Sequence, residues 1–95
     1  MTKRGFNIPK NCVVTGGSGF VGQRLVEMLV ERGAERVVSF DISPTPKAAR
    51  MDPRIIYVKA DLTNVQDVEK ALLGAECVFH IAALVGKLTN FILYV

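Results

Sequence analysis

Along the chain, short runs of continuous apolar residues alternate with longer stretches in which apolar side chains return every three or four positions. Asn11-Cys-Val-Val-Thr15 has the β-branched, uninterrupted character of a strand buried on both faces of a parallel sheet. From Phe20 the apolar positions Val21, Leu25, Met28 and Leu29 carry helical spacing, and Gly33 supplies a stop, which predicts a helix over 20–32. Val37-Val-Ser-Phe-Asp41 predicts a second strand ending on an acid. Ser43-Pro-Thr-Pro46 then breaks the chain, so 42–54 reads as a loop with room for one turn of helix around Ala48–Met51. Ile55-Ile-Tyr-Val-Lys59 predicts the third strand. Thr63-x-x-Gln66 has the form of a capping box, opening a helix with Val65, Val68 and Leu72 on one face and Gly74 at its end. Cys77-Val-Phe-His-Ile81 predicts the fourth strand.

The order β-α-β-β-α-β with short connections predicts an α/β fold with right-handed crossovers and a doubly wound parallel sheet. Residues 1–10 read as an N-terminal extension, 11–86 as the folded unit and 87–95 as an atypical tail. With 95 residues, 49% of them hydrophobic and 22% charged, the chain supports one core and leaves no room for a second. No apolar run approaches the ~18 residues of a membrane span, and the N-terminus lacks a secretory apolar region, so the cytosol is the expected compartment. The net charge of +3 comes from basic residues scattered between Lys3 and Lys87 without interleaved aromatics, which argues against nucleic acid as a partner. Cys12 and Cys77 are far apart and form no CxxC pattern, as suits reduced thiols buried in strands rather than a disulfide or a metal framework.

Chemistry concentrates after the first strand. Gly16-x-x-Gly19-x-x-Gly22 sits between a buried strand and an amphipathic helix, and Gly17-x-Gly19-x-x-Gly22 is satisfied as well. The first glycine permits a tight turn, the second lets a diphosphate approach the backbone, and the third lets the helix pack close to the sheet. The N–H groups of the helix's first turn and its positive dipole end favour an anion, above all a pyrophosphate. Asp41 follows Gly22 by 19 positions, at a strand end where a carboxylate can accept hydrogen bonds from the adenosine ribose hydroxyls. That carboxylate repels a 2′-phosphate and no arginine directly follows it, which favours NAD over NADP unless Lys47 and Arg50 fold back toward it. Asp61 ends the connection from the third strand on the same sheet edge, where it either faces the crevice or supports the next helix's N-terminus. His80 lies in an apolar run and reads as a packed, hydrogen-bonded residue rather than a base.

Thr15-Gly-Gly-Ser-Gly-Phe-Val-Gly22, Asp41, Asp61-Leu62 and His80-Ile-Ala-Ala83 together resemble the extended short-chain dehydrogenases/reductases. Within that superfamily, Cys77-Val-Phe-His-Ile-Ala-Ala83 is most similar to the 3β-hydroxysteroid dehydrogenase and sterol-4α-carboxylate 3-dehydrogenase (decarboxylating) branch. The resemblance implies the N-terminal half of a Rossmann fold. It implies that Gly16, Gly19 and Gly22, with Phe20 and Val21 between them, hold the cofactor diphosphate. Asp41 would hold the adenosine ribose, Asp61 and Leu62 the adenine edge, and Ala82 and Ala83 the nicotinamide-side ribose. A complete protein of this kind would oxidise the 3β-hydroxyl of a sterol-like molecule with NAD, and a full-length relative could associate with the endoplasmic reticulum.

One departure qualifies that expectation. Members of the superfamily work with a Tyr-x-x-x-Lys pair, and none exists here: Tyr57 is followed four residues later by Asp61, and Tyr94 stands next to the last residue. The chain therefore reads as a truncated, cofactor-binding part without acid–base machinery. A non-catalytic NAD-binding or interaction module and a nucleotide-sugar epimerase or dehydratase are the alternative readings. Cys77–Ile81 would then form a bare apolar edge that invites self-association, unless the 88–95 tail pairs against it.

Overall fold

The computed structural model describes residues 8–81 throughout and, beyond them, the backbone of short strands at 83–84, 87–88 and 91–94. The elements are β1 (Asn11–Thr15), α1 (Phe20–Glu31), β2 (Arg36–Asp41), β3 (Ile55–Lys59), α2 (Val65–Leu72), β4 (Cys77–His80), β5 (Ala83–Leu84), β6 (Lys87–Leu88) and β7 (Phe91–Tyr94). Four strands form a parallel sheet in the order β3-β2-β1-β4, and β7 adds antiparallel to the outer side of β4. The chain winds outward from β1 through β2 to β3, then returns through α2 to β4 on the other side of β1. The order therefore reverses between β1 and β4, the place where an open α/β sheet splays its loops apart.

Alternation along the central strands sends side chains to two cores. Cys12, Val14 and Val37 pack against Val26, Leu29 and Val30 of α1, whereas Val13, Val38, Phe40 and Val78 pack beneath Ala71 of α2. Each such fully buried Val or Leu contributes about 1.5–3 kcal/mol relative to exposure. Opposite winding directions put the two helices on opposite faces, as right-handed crossovers require. Cys12 and Cys77 are buried thiols outside any disulfide, paired in register across β1 and β4, and Cys12 Sγ donates to Pro9 O at 3.4 Å. Among the described residues no helix is long and apolar enough to cross a membrane.

Several local expectations change. Helix α1 ends at Glu31 with Arg32 as its C-cap, and Gly33 follows at φ +106°, a left-handed value that a side chain resists. The cap of α2 is Asn64, whose side chain accepts a bond from Asp67 N at 3.1 Å, so Thr63 is not the capping residue and no Thr63/Gln66 box forms. Thr63 instead donates its N–H to Asp61 Oδ1 at 2.9 Å, in the turn before the helix. Residues 48–51 form no helical turn. A single turn closes by Ala49 N donating to Pro46 O at 3.1 Å, and the segment is pinned where Tyr57 donates its hydroxyl to Arg50 O. Arg50 also reaches Glu31 at 3.0 Å, and Arg54 donates to Val30 O at the end of α1.

The fourth strand stops at His80, and its outer edge is not bare. Cys77, Val78, Phe79 and His80 pair with Tyr94, Leu93, Ile92 and Phe91. Of the two outcomes expected for that edge, closure by the tail is the one the structure contains, and it supplies the backbone partners that the apolar strand needs.

Candidate functional site

The turn after β1 is built by four glycines in different surroundings. Gly16 adopts φ +77°, and its N–H donates to Phe40 O at 2.8 Å, which drives the chain sharply off β1 across the end of β2. Gly17 lies directly on β2: a Cβ there would stand 2.0 Å from Ser39 Oγ. A Cβ on Gly22 would stand 2.0 Å from Gly16 O, so the first turn of α1 rides on the turn's own backbone. Gly19 differs. Among the described residues its Cβ would meet only Gly16 O at 3.4 Å, an ordinary contact, so none of them demands glycine at that position.

Gly19 is also the N-cap of α1 and contributes no side-chain cap. The first backbone bond of the helix runs from Gln23 N to Gly19 O at 2.9 Å, which leaves the N–H groups of Phe20, Val21 and Gly22 without intrahelical acceptors. No acidic residue occupies that first turn. Uncapped donors, a positive dipole end and open space above Gly19 make a cradle for an anion that brings its own acceptors.

Asp41 is tied to this turn. Its Oδ2 accepts from Ser18 N at 3.0 Å and its Oδ1 from Ser43 N at 2.9 Å, so the carboxylate spans from the end of β2 to the glycine turn. Its carbonyl accepts from Ala60 N at 2.9 Å, which places Asp61 just beyond the paired ends of β2 and β3. Asp61 turns its carboxylate to its own loop. The bonds from the Thr63 backbone and side chain hold its carboxyl below the usual carboxylate range. Of the two roles open to Asp61, shaping the entry to α2 is the one its contacts display. Leu62 beside it is 41% exposed, Ile42 next to Asp41 is 61% exposed and Phe20 is 91% exposed. Three apolar side chains from three successive strand-end loops thus stand in solvent on one edge of the sheet.

At the reversal of strand order, Thr15 Oγ1 and His80 Nδ1 are 2.6 Å apart, and Ile81 N donates to Thr15 Oγ1 at 3.2 Å. This link joins the ends of β1 and β4 beneath the turn, with His80 as a packed, hydrogen-bonded side chain. Ala82 lies outside the described residues, and Ala83 is placed only as the first backbone position of β5. Shallow hollows of about 390 and 190 Å³ run along α2, lined by residues such as Gln66, Lys70 and Leu73, and neither reaches the glycine turn. No group of His, Cys, Asp and Glu able to hold a metal exists among the described residues.

Sequence spacing singled out Gly16, Gly19, Gly22 and Asp41. It missed Gly17 as the residue seated on β2, Ser39 as the small side chain that lets it sit there, and Ser18 as the amide joining the turn to Asp41. The overlapping Gly17-x-Gly19 pattern was the available signal for the first. The other two depend on contacts between residues more than twenty positions apart.

The 3-beta hydroxysteroid dehydrogenase/isomerase family matches residues 13–91. The chain is 49% identical over 73 residues to a 3-beta-hydroxysteroid dehydrogenase of Mycolicibacterium neoaurum, covering 77% of this chain and 19% of that protein. It is 46% identical over 74 residues to the decarboxylating sterol-4-alpha-carboxylate 3-dehydrogenase of Mus musculus, covering 78% and 19%. The chain thus spans about a fifth of the length of these curated relatives. Among solved structures, an epimerase from Methanothermobacter thermautotrophicus superposes with a TM-score of 0.70 at 31% identity, covering 79% of this chain and 23% of that one. The Bordetella bronchiseptica enzyme WbmF in complex with NAD+ superposes with a TM-score of 0.68 at 30% identity, covering 79% and 23%.

Proposed function

This chain belongs to the 3-beta hydroxysteroid dehydrogenase/isomerase family, and from that premise we propose that it is the dinucleotide-binding portion of an NAD-dependent oxidoreductase. The observation that carries the proposal is the join between Asp41 and Ser18 N beneath an open Gly19. It sets a carboxylate for ribose hydroxyls in the same unit as a row of helix-end amides for a diphosphate. In this reading Phe20, Val21 and Gly22 supply the amides, Gly16 and Gly17 lower the turn onto β2, and Leu62 with Ile42 flanks the adenine. Ala82 and Ala83 follow β4 on the nicotinamide side. The bound group would supply a hydride acceptor, and the chain's own residues bind and orient it.

NAD is the favoured form. The Asp41 carboxylate opposes a 2′-phosphate, and Arg50 is held by Glu31 at 3.0 Å beside the C-terminal end of α1, away from the glycine turn. In the complete protein the substrate is a sterol-like molecule oxidised at its 3β-hydroxyl, as the names of the family's members indicate.

A non-catalytic role for this stretch has its own support. Tyr57, the one tyrosine among residues 8–81, spends its hydroxyl on Arg50 O, and burial raises its pKa, so it is unsuited to proton transfer. A nucleotide-sugar epimerase or dehydratase remains the rival enzyme, supported by the epimerase likeness. Titrating the purified chain with NAD and with NADP in a calorimeter tests the cofactor reading. Heat of binding with NAD tighter than NADP is expected, and no binding of either would overturn it.

A further inference from the structure

We propose that Ser43 is a phosphorylation site for a proline-directed serine/threonine kinase, and that phosphate there shuts the cofactor site. This inference rests on the dinucleotide reading above. Two hydroxyl residues each precede a proline in Ser43-Pro44-Thr45-Pro46, both are exposed, and the segment belongs to no helix or strand. A proline confines the residue before it to extended backbone, the shape in which a peptide lies in a kinase cleft. Proline also lacks the N–H that other residues would leave unpaired there. Lys47 follows the second proline and adds a positive charge to the same exposed stretch.

What distinguishes Ser43 from an ordinary loop serine is its partner. Its N–H donates to Asp41 Oδ1 at 2.9 Å, and the other oxygen of that carboxylate holds Ser18 N in the glycine turn. Ser43 is thus one hydrogen bond from the carboxylate assigned to the ribose and two from the turn assigned to the diphosphate. In the transfer, the Oγ–P bond forms and the bond between the γ-phosphorus of MgATP and its bridging oxygen breaks. ADP leaves with that electron pair, and the hydroxyl proton passes to the kinase's catalytic carboxylate. The product carries about −1.5 to −2 charges at neutral pH on the residue whose N–H binds Asp41, and the ligand assigned to the adjoining turn carries an anionic diphosphate of its own. Repulsion of this kind weakens as salt screens it. Arg50, further along the same loop, is already paired with Glu31 at 3.0 Å.

The experiment treats the intact chain with MgATP and a proline-directed kinase, maps the phosphoryl group by mass spectrometry, and titrates NAD before and after. The expected result is incorporation at Ser43 and an NAD Kd raised at least tenfold, with the ratio shrinking as salt rises. Ser43→Ala should remove the effect, and Thr45→Ala should retain it. No incorporation at Ser43, while a control Ser-Pro peptide is fully modified, overturns the proposal, and so does an unchanged Kd in chain phosphorylated there. An unmodified chain that fails to bind NAD sinks the cofactor reading and the switch with it. Binding that phosphate leaves untouched sinks the switch alone.

Discussion

Gly19 and Gly22 sit three residues apart in one motif, yet the structure predicts opposite consequences for the same substitution. At Gly22 an added Cβ stands 2.0 Å from Gly16 O and 2.8 Å from Gly16 C and Gly17 Cα, all backbone atoms that cannot swing aside. Overpacking of this kind costs about 1–3 kcal/mol and more where backbone must move. A 95-residue domain at ~0.05–0.15 kcal/mol per residue holds roughly 5–14 kcal/mol in total. At about 4–8 °C per kcal/mol, Gly22→Ala should lower Tm by at least ~4 °C. At Gly19 the nearest atom among the described residues is 3.4 Å from an added Cβ, and the extended N-cap backbone of φ −76° and ψ 171° suits any residue. Removing glycine there stabilises by about 0.4–1 kcal/mol through the unfolded chain. Placing alanine at an N-cap costs a similar amount. The two effects cancel to within about 0.5 kcal/mol, so Gly19→Ala should melt close to the parent.

Binding should separate the pair in the other direction. The open space over Gly19 is where a diphosphate must approach the amides, so the methyl group of Gly19→Ala should weaken NAD at least tenfold in a calorimetric titration. Native stability with lost binding is a signature that a purely structural glycine cannot produce. An unchanged NAD affinity in well-folded Gly19→Ala would show that the space is not a ligand's, and the cradle assignment would fail.

Three further outcomes follow from the same geometry. Asp41→Arg should raise the affinity for NADP relative to NAD, the ratio cancelling any general loss from the broken Ser18 contact; an unaltered ratio removes Asp41 from the ribose site. Asn64→Ala should cost about 1 kcal/mol, or ~4–8 °C in Tm, whereas exposed Thr63→Ala should stay within about 0.5 kcal/mol; the reverse order in thermal melts would restore Thr63 as the cap. Burial, helped by the neighbouring Cys77 and Glu76, pushes the Cys12 thiol from 9.0 up to about 11. The folded chain therefore keeps a proton that the unfolded chain releases above pH 9, and stability should be full below that value and fall by about 2–3 kcal/mol between pH 9 and 11. Cys12→Ser should flatten that alkaline decline in urea titrations, and a decline identical in both would exclude the thiol as its source.

The elements were legible because the apolar code is unambiguous where strands are buried on both faces. Val13, Val14, Val37 and Val38 have no polar alternation to mislead, and the sheet order follows once the crossovers are right-handed. Boundaries were less secure where two codes overlap. Thr63-x-x-Gln66 and Asn64-x-x-Asp67 are both capping patterns, one residue out of phase. The choice between them is made by the turn that Asp61 closes onto Thr63, which uses up the Thr63 amide before the helix begins. The sequence leaves open whether the β-prone tail or a second copy covers the outer edge of β4, since nothing in Phe91-Ile-Leu-Tyr94 names the strand it joins. The pairing with β4 is decided by an apolar edge eleven or more residues upstream that needs backbone partners.

At the site, the spacing of glycines located the turn and, through the motif's form, gave the second glycine to a ligand and the third to helix packing, but it could not name the atoms each one meets. That division is set by what lies opposite each Cα: Ser39 under Gly17, the Gly16 carbonyl under Gly22, and open space over Gly19. Ser39 shows the cost of the arrangement, since its buried hydroxyl has no hydrogen-bond partner and an unpaired buried polar group costs about 1–3 kcal/mol. A valine in its place would remove that penalty and drive the turn away from β2, breaking the alignment of Ser18 with Asp41. A small side chain that is poor for stability is therefore the one that keeps the ribose carboxylate and the diphosphate amides in a single rigid unit.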